Sequence, residues 1–155
     1  MKILIMGLPG SGKTTLTEEI ARRLRCVVFN ADDIRKHINK DLGFSERDRL
    51  EQAYRMGHLC DIAGRWGAHV IADFVCPLPE CRQLFGADYT IWVDRIDKSR
   101  YEDTNQIFVK PAHYDIHITK AFDHCFPTYH AQEIEKIILG RETLTATPAV
   151  TTTLS

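Results

Sequence analysis

The residues with the clearest chemical signature lie near the start of the chain. An apolar segment at positions 2–6 leads directly into the run GLPGSGKTT at positions 7–15. The spacing GxxxxGKT brings successive backbone N–H groups around phosphate oxygens at a helix N-terminus, where unpaired donors and the helix dipole favour an anion. In such a loop Lys13 reaches the β- and γ-phosphates, and Thr14 presents its hydroxyl to Mg²⁺. The run therefore predicts a site for ATP and Mg²⁺, with the nucleotide-binding residues Gly7, Pro9, Gly10, Ser11, Gly12, Lys13, Thr14 and Thr15.

Carboxylates associated with later apolar runs are candidates for metal binding or base chemistry. Asp32 follows one such run, Asp73 lies within another, and Asp94 closes a third. Phosphoryl transfer needs a metal that neutralises phosphate charge and a group that positions the attacking hydroxyl. Asp32 is the candidate catalytic residue beside Lys13, with a helix N-cap as its structural alternative. Asp73 has the form of a Walker B carboxylate and joins the loop threonine as a candidate magnesium ligand.

The apolar periodicity predicts strands that alternate with helices. A strand precedes the phosphate loop, and positions 16, 20 and 24 place leucine or isoleucine on one face of the following helix. Further strands are predicted at 26–30, 69–75 and 89–93, and short helices at 32–40 and up to position 85. A long helix begins after the capping pair Ser45 and Asp48 and ends near Gly64 and Gly67. This order predicts an α/β fold of the P-loop NTPase, nucleotide-kinase-like class: a parallel sheet with helices on both faces, with ligands beyond the carboxyl ends of the strands.

Composition limits the classes of partner. The chain has 155 residues, of which 44% are hydrophobic, and a net charge of −1. We predict a single P-loop kinase domain at 1–140 and a disordered, Thr-rich tail at 141–155. The charge gives no overall attraction to nucleic acid or membranes, which favours a small anionic substrate gripped locally. No apolar run approaches membrane-spanning length, and we expect a cytoplasmic protein; its oligomeric state, a homodimer included, stays open.

Cysteine and histidine spacings argue against a structural metal site. Five cysteines without a CxxC spacing do not fit a disulfide framework or a zinc finger. His113 and His117 have a metal-like spacing, but they alternate with Tyr114, Ile116 and Ile118 as in a strand with one solvated face. We therefore expect a strand in this segment rather than a metal cluster.

A second set of motifs distinguishes the chain from a generic nucleotide hydrolase. NADDIR at positions 30–35 is followed by LGFSERDR at 42–49 and by ADFVCP at 72–77. Here the sequence resembles the adenylylsulfate kinases, which use ATP to phosphorylate the ribose 3′-hydroxyl of adenosine 5′-phosphosulfate. That family shows LDGDNxR-like, GFSxxDRxxN-like and AFISP segments at corresponding spacings. The resemblance runs from Met1 to about Asp94.

The resemblance implies roles for individual residues. Asp32 matches the family's essential aspartate, Arg35 and Arg49 its anion-gripping arginines, and Phe44 its adenine-contacting aromatic. These types suit the task, because guanidinium groups fit tetrahedral oxyanions and stay charged at any working pH. The implied substrate-binding residues are Asp32, Arg35, Phe44, Arg49, Gln52, Val75, Cys76 and Phe108.

Three departures from the family pattern affect the acceptor site. Cys76 stands where the family has a serine, so that hydroxyl is lost while backbone contacts would survive. Asp73 replaces a small residue. The family's helix and RDxKGLY-like segment after Asp94 are shortened to the seven residues 95–101, which we call the lid segment. Only Lys98 and Tyr101 correspond there.

Three functions are therefore open at the level of sequence. The first is an adenylylsulfate kinase. The second is a related P-loop kinase that phosphorylates another hydroxyl, on a nucleoside, a sugar, or a modified base or end of a nucleic acid; the altered lid segment favours it. The third is a non-catalytic nucleotide-binding module, although the sequence has no guanine-reading NKxD motif.

Overall fold

Five parallel strands form one sheet in the computed structural model, which describes residues 1–145. The spatial order of the strands is β2-β3-β1-β4-β5. The strands are β1 (Lys2–Met6), β2 (Val27–Asn30), β3 (Val70–Asp73), β4 (Tyr89–Asp94) and β5 (Ile116–Thr119). The helices are α1 (Lys13–Leu24), α2 (Ala31–His37), α3 (Glu46–Gly64), α4 (Pro79–Phe85), α5 (Glu102–Ile107) and α6 (Thr128–Thr145), with a 3-10 helix at Lys120–Cys125.

Helices cover both faces of the sheet because its central strands are apolar on both sides. Leu4 and Met6 of β1 face one core with Met56 of α3 and Phe85 of α4. The alternate residues of β1 face a second core, which α1 and α6 close with Leu16, Ile20, Ile134 and Ile138. The predicted α/β architecture is confirmed, and the carboxyl ends of all five strands lie along one edge.

Most element predictions are confirmed to within a few residues. The hydroxyl of Ser45 accepts a hydrogen bond from the backbone N–H of Asp48 at 3.1 Å, so the predicted cap of α3 is present. The alternative in which Asp32 caps α2 is wrong. Asn30 caps that helix instead, because its side-chain oxygen accepts from the N–H of Asp33 at 3.0 Å. The carboxylate of Asp32 is consequently available for other contacts.

The C-terminal part of the described chain contains a helix that the periodicity analysis did not identify. Ala131, Ile134 and Ile138 of α6 are fully buried against α1. This helix continues through Thr145, so it includes the first five residues of the segment predicted to be a disordered tail. The rest of that segment, 146–155, lies outside the described residues. Within 1–145, no helix combines the length and hydropathy needed to cross a membrane.

Candidate functional site

The loop between β1 and α1 wraps tightly against the end of β4. Gly7 has φ +151°, and a β-carbon there would lie 2.2 Å from the carbonyl oxygen of Val93. A larger residue would therefore push the loop away from the sheet. Gly10 and Gly12 also have positive φ. The glycines of the sequence motif thus let the backbone turn closely over the strand ends, as a phosphate-binding loop requires.

Lys13 opens helix α1 and lies along this loop. Its ammonium group donates a hydrogen bond to the carbonyl oxygen of Leu8 at 2.9 Å, and the side chain is largely buried. Burial lowers the pKa of Lys13, while the negative charges of Asp73 and Asp32 act in the opposite direction. The lysine is thus a poorly hydrated cation held between the loop and two carboxylates, which strengthens its attraction for phosphate.

Asp73 forms the second element of the phosphate end. Its carboxylate accepts hydrogen bonds from the hydroxyl of Thr14 at 2.6 Å and from the side-chain amide of Asn30 at 3.0 Å. Strand register explains this meeting, because Asp73 is paired with Ile5 of β1 on one side and with Asn30 of β2 on the other. Burial raises the pKa of Asp73, against the hydrogen bond from Thr14. The threonine and aspartate oxygens together form the type of oxygen-ligand pair that suits Mg²⁺.

Asp94, the other strand-end carboxylate, belongs to a different cluster. Its carboxylate oxygen is hydrogen-bonded to Nε2 of His117, with 2.9 Å between the two atoms. The His117 ring stacks on Trp92 with centroids 4.0 Å apart. The predicted strand around His117 is confirmed as β5. Among the described side chains, no group of three or more His, Cys, Asp or Glu residues could hold a metal ion. Of the two carboxylates, Asp73 is the one that accepts a hydrogen bond from Thr14 of the phosphate loop.

A cleft of about 790 Å³ opens between the phosphate loop, the start of α2 and the lid segment. Asp32 is exposed on its wall, and its charge acts on Lys13, Asp73 and Arg35. Ten of the residues singled out from the sequence line this cleft: Pro9, Gly10, Lys13, Thr14, Asp32, Arg35, Phe44, Arg49, Asp73 and Val75. The structure thus brings together residues that lie up to 66 positions apart, from Pro9 to Val75.

Two arginines flank one exposed aromatic ring in this cleft. Phe44 is 62% exposed, and the guanidinium carbons of Arg35 and Arg49 lie 4.5 and 5.5 Å from its ring centroid. Arg49 is buried; its Nε donates to the carbonyl oxygen of Phe44 at 2.8 Å, and Nη2 contacts the carboxylate of Asp103 at 3.1 Å. Arg35 donates from Nη1 to the carbonyl oxygen of Gly43. The cleft therefore combines a flat apolar surface with two permanent cations.

The electrostatics of the arginine pair favour an anionic ligand. Burial lowers the pKa of Arg35, and the charge of Arg49 lowers it further. The Nε atom of Arg35 is buried and has no hydrogen-bond partner among the described residues. An unpaired buried donor on a cation costs free energy that a bound anion would recover.

The lid segment adds side chains to which the sequence analysis gave no binding or catalytic role. Lys98, Arg100 and Tyr101 all line the cleft, and Arg100 donates to the hydroxyl of Tyr101 at 2.9 Å. Asp103 of α5 also lines the cleft and was not identified from the sequence. The density of charged residues over 95–103 was the available signal, but without the fold it is indistinguishable from a solvated surface segment.

Gln52 does not reach the cleft, in contrast to the prediction. Its side chain is fully buried in α3. The amide oxygen accepts from Asn39 at 2.8 Å, and the amide nitrogen donates to the carbonyl oxygen of Ala31 at 3.1 Å. Gln52 therefore uses its hydrogen bonds to tie α3 to α2, the helix that carries Asp32.

Cys76 and Phe108 also lie behind the cleft wall rather than on it. Cys76 is fully buried in the left-handed backbone region, with φ +47°, and its carbonyl oxygen accepts from Nε of Arg82 at 3.1 Å. Burial raises the pKa of its thiol well above the usual range. Phe108 packs under Arg82, 5.6 Å from the guanidinium carbon, and lines a smaller cavity of about 390 Å³. Arg82 therefore contacts both residues: it donates a hydrogen bond to the backbone of Cys76 and packs on the ring of Phe108.

Comparison with known proteins adds an independent line of evidence. A sequence profile of adenylylsulphate kinases matches residues 1–117. The adenylyl-sulfate kinase of Gloeothece citriformis (strain PCC 7424) is 37% identical over 86 residues, which cover 52% of this chain and 49% of that protein. A probable adenylyl-sulfate kinase of Bacillus subtilis (strain 168) is 39% identical over 84 residues, or 51% of this chain and 43% of that protein. The chain spans about half the length of these curated relatives.

A solved structure supports the fold assignment. The APS kinase CysC of Mycobacterium tuberculosis, in complex with AMPPNP and APS, superposes with a TM-score of 0.74 at 24% sequence identity. The superposition covers 88% of this chain and 96% of that one. This likeness establishes the P-loop NTPase fold that the phosphate loop and the strand order indicate.

Proposed function

The chain belongs to the adenylylsulphate kinase family, and we propose that it transfers the γ-phosphate of ATP to the 3′-hydroxyl of adenosine 5′-phosphosulfate. The observation that carries this proposal is the composition of one cleft. Phosphate-loop groups line one end of the cleft, and Arg35 and Arg49 line the other end around Phe44. Asp32 lines the same cleft. The two ends match a nucleotide donor and an aromatic, anionic acceptor.

At the donor end, the chemistry requires positive charge around the transferring phosphoryl group. Lys13 supplies one cation, and the backbone N–H groups of the loop supply dipoles. The oxygens of Thr14 and Asp73 would hold Mg²⁺, which when bound neutralises charge on the β- and γ-phosphates. The hydrogen bond between the Thr14 hydroxyl and the Asp73 carboxylate holds these two oxygens side by side, as two ligands of one metal ion would need to be.

At the acceptor end, Asp32 would accept the proton of the attacking hydroxyl. The oxygen of that hydroxyl forms a bond to the γ-phosphorus as the bond from this phosphorus to the β–γ bridging oxygen breaks, which leaves ADP. Asp32 suits this role because it is exposed in the cleft and is not used as a helix cap. Removing the proton as the bond forms is general base catalysis.

The arginines would bind the phosphosulfate group of the acceptor. The unpaired Nε of Arg35 is a donor for one oxygen, and the forked guanidinium of Arg49 is a donor for others. Phe44 would stack on the purine, since most of its ring is exposed. None of these groups takes part in bond breaking, so their contribution is binding and orientation.

One observation favours a second candidate, a kinase for a different anionic hydroxyl compound. The family resemblance places a base-stacking phenylalanine at Phe108, but this ring packs under Arg82 rather than in the cleft. Without that ring, the exposed aromatic rings among the described residues that line the cleft are Phe44 and Tyr101. A smaller acceptor with a phosphate or sulfate group would use the same arginines.

The proposal is tested by an acceptor screen. ADP formation from ATP and Mg²⁺ is measured with adenosine 5′-phosphosulfate, nucleosides, sugars, sugar phosphates and single-stranded DNA. We expect the phosphosulfate to be the preferred acceptor, and the product to carry the new phosphate on the ribose 3′-oxygen. Transfer to another acceptor, with none to the phosphosulfate, would contradict the acceptor assignment and support the second candidate. Absence of transfer to every acceptor would favour a nucleotide-binding module.

A further inference from the structure

Arg95, the first residue after β4, lies against the phosphate loop. Its Nη1 atom donates a hydrogen bond to the carbonyl oxygen of Ser11 at 3.0 Å. Its Nε donates to the carboxylate of Asp123 at 2.7 Å, and its guanidinium carbon lies 3.8 Å from the ring centroid of Phe126. Asp123 lies in the 3-10 helix, and Phe126 follows that helix directly. One side chain therefore links three segments at the strand ends.

The packing around Gly12 shows how closely this arrangement fits the loop. Gly12 has φ +103°, and a β-carbon there would lie 2.4 Å from Nη1 of Arg95 and 2.9 Å from the ring of Phe126. The positive φ alone favours glycine. The neighbouring side chains exclude a larger residue for a second, independent reason. Arg95 and Phe126 thus form a wall against which the loop backbone rests.

Peptide geometry connects this wall to phosphate binding. The carbonyl of Ser11 and the N–H of Gly12 belong to one planar trans peptide group, so they point in opposite directions. Because Arg95 holds the carbonyl of Ser11 toward its own guanidinium group, the N–H of Gly12 points away from Arg95. Backbone N–H groups of this loop are the phosphate donors.

We propose that Arg95, oriented by Asp123 and Phe126, is a positioning residue that fixes the Ser11–Gly12 peptide for binding of the nucleotide phosphates. Arg95 lies outside the GxxxxGKT motif, in the lid segment, where the sequence suggested no role for it. The proposal rests on the nucleotide side of the proposed function and does not depend on the acceptor. It can therefore be tested by binding alone, and its failure is distinguishable from failure of the acceptor assignment.

The test compares two ligands that share phosphates but differ in the nucleobase. Binding of Mg²⁺–ADP and of Mg²⁺–tripolyphosphate is measured by calorimetry for wild type, Arg95→Gln and Arg95→Lys. We expect Arg95→Gln to weaken both ligands by a similar factor, roughly tenfold to a hundredfold, because a charge-assisted hydrogen bond that orients the loop is lost. Arg95→Lys retains a donor and should recover part of the affinity. Arg22→Gln is the matched control, since Arg22 lies on the outer face of α1 with a side chain that is 69% exposed.

Two results would overturn the proposal. If Arg95→Gln weakens ADP but leaves tripolyphosphate unchanged, then Arg95 and Phe126 contact the nucleobase instead of setting the loop. If neither affinity changes, the contact with Ser11 has no role in binding.

A spectroscopic measurement separates positioning from general stability. In wild type, the amide proton of Gly12 should shift when tripolyphosphate is added, and this shift should shrink in Arg95→Gln. A role in stability alone would lower the melting temperature and leave the shift intact. Should Arg95→Gln fail to fold, Asp123→Ala removes the acceptor for Nε while keeping Arg95. Unchanged affinity for both ligands in that variant would also overturn the proposal.

Discussion

The two ends of the cleft differ in how their residues are supplied and held. The phosphate end is built from one continuous loop and one neighbouring strand, and Lys13, Thr14 and Asp73 already contact each other or the loop. The acceptor end draws on α2, the loop before α3, α3 itself and α5. Its Arg49 is paired with Asp103, a residue of this same chain. Under the proposed function, the phosphate end is thus preorganised for its ligand, whereas the acceptor end exchanges an internal partner for a substrate.

This difference leads to an ordered set of expected effects. Substitutions at the phosphate end should reduce the rate of transfer strongly, because they remove groups aimed at charge in the transition state. Substitutions of the binding groups at the acceptor end, as distinct from the proposed base Asp32, should change binding of one substrate. A variant that breaks this ordering would show that the division of the cleft is wrong.

The largest effect is expected for Lys13→Ala. We predict a loss in kcat of about a thousandfold or more, because a buried cation that would face the γ-phosphate is removed. The melting temperature should stay close to that of wild type, since the loss of a poorly hydrated charge offsets the loss of its hydrogen bond to Leu8. Steady-state kinetics and thermal unfolding check both statements. Turnover near the wild-type rate would contradict the assignment of this chain as a kinase.

Asp32→Asn should have the second largest effect. The substitution keeps the size of the side chain and removes the base, so kcat should fall by about a hundredfold or more with little change in the KM of either substrate. Because Asn30 caps α2, stability should not depend on Asp32. A fall in melting temperature with unchanged turnover per folded molecule would show that Asp32 is structural instead.

The sequence predicted the phosphate end more completely than the acceptor end, for a physical reason. A phosphate loop is local: glycine spacing, the strand before it and the helix after it lie within 24 residues. Asp73 was also within reach, because a carboxylate at the end of a parallel strand falls at the ligand edge of the sheet. Its contact with Thr14 needed the strand order, which places β3 directly beside β1.

The acceptor end depends on contacts that spacing alone does not fix. Gln52 and Cys76 align with family positions, yet both side chains are turned into the interior by hydrogen bonds and packing that involve other elements. The contact of Asp103 with Arg49 joins residues 54 positions apart. Helix α6 was missed although its buried residues Ala131, Ile134 and Ile138 follow the i, i+3, i+7 spacing of one helical face, so the signal was present in the sequence.

Arg49→Gln should affect the acceptor alone. Loss of a charge-assisted contact of about 1.5–3 kcal/mol corresponds to a rise of roughly tenfold to over a hundredfold in the acceptor KM. The KM of ATP should change little, because Arg49 lines the other end of the cleft. Arg35→Gln should act in the same direction. Equal increases for both substrates would contradict the separation into two ends. Arg47→Gln serves as the matched control, because Arg47 is an exposed residue of α3 that does not line the cleft.

The smallest effect, and the one with the opposite sign, is expected for Asp103→Asn. In the structure the carboxylate of Asp103 occupies a donor of Arg49 that an anionic acceptor would also need. Asp103 is 67% exposed, so this ion pair is well screened and contributes on the order of 0.2–1 kcal/mol. Removing the competing charge should therefore lower the acceptor KM by about two- to fivefold and leave the ATP KM unchanged.

The sign of this change decides between two roles for Asp103. If Asp103 competes with the acceptor, Asp103→Asn lowers the acceptor KM. If Asp103 instead holds Arg49 in its binding orientation, the same substitution raises that KM. Asp97→Asn is the control, because Asp97 is an exposed lid-segment carboxylate paired with Lys120 and does not line the cleft. A raised KM in Asp103→Asn, with Asp97→Asn at the wild-type value, would mean that the acceptor end is preorganised like the phosphate end, because Asp103 would then fix Arg49 before the substrate arrives.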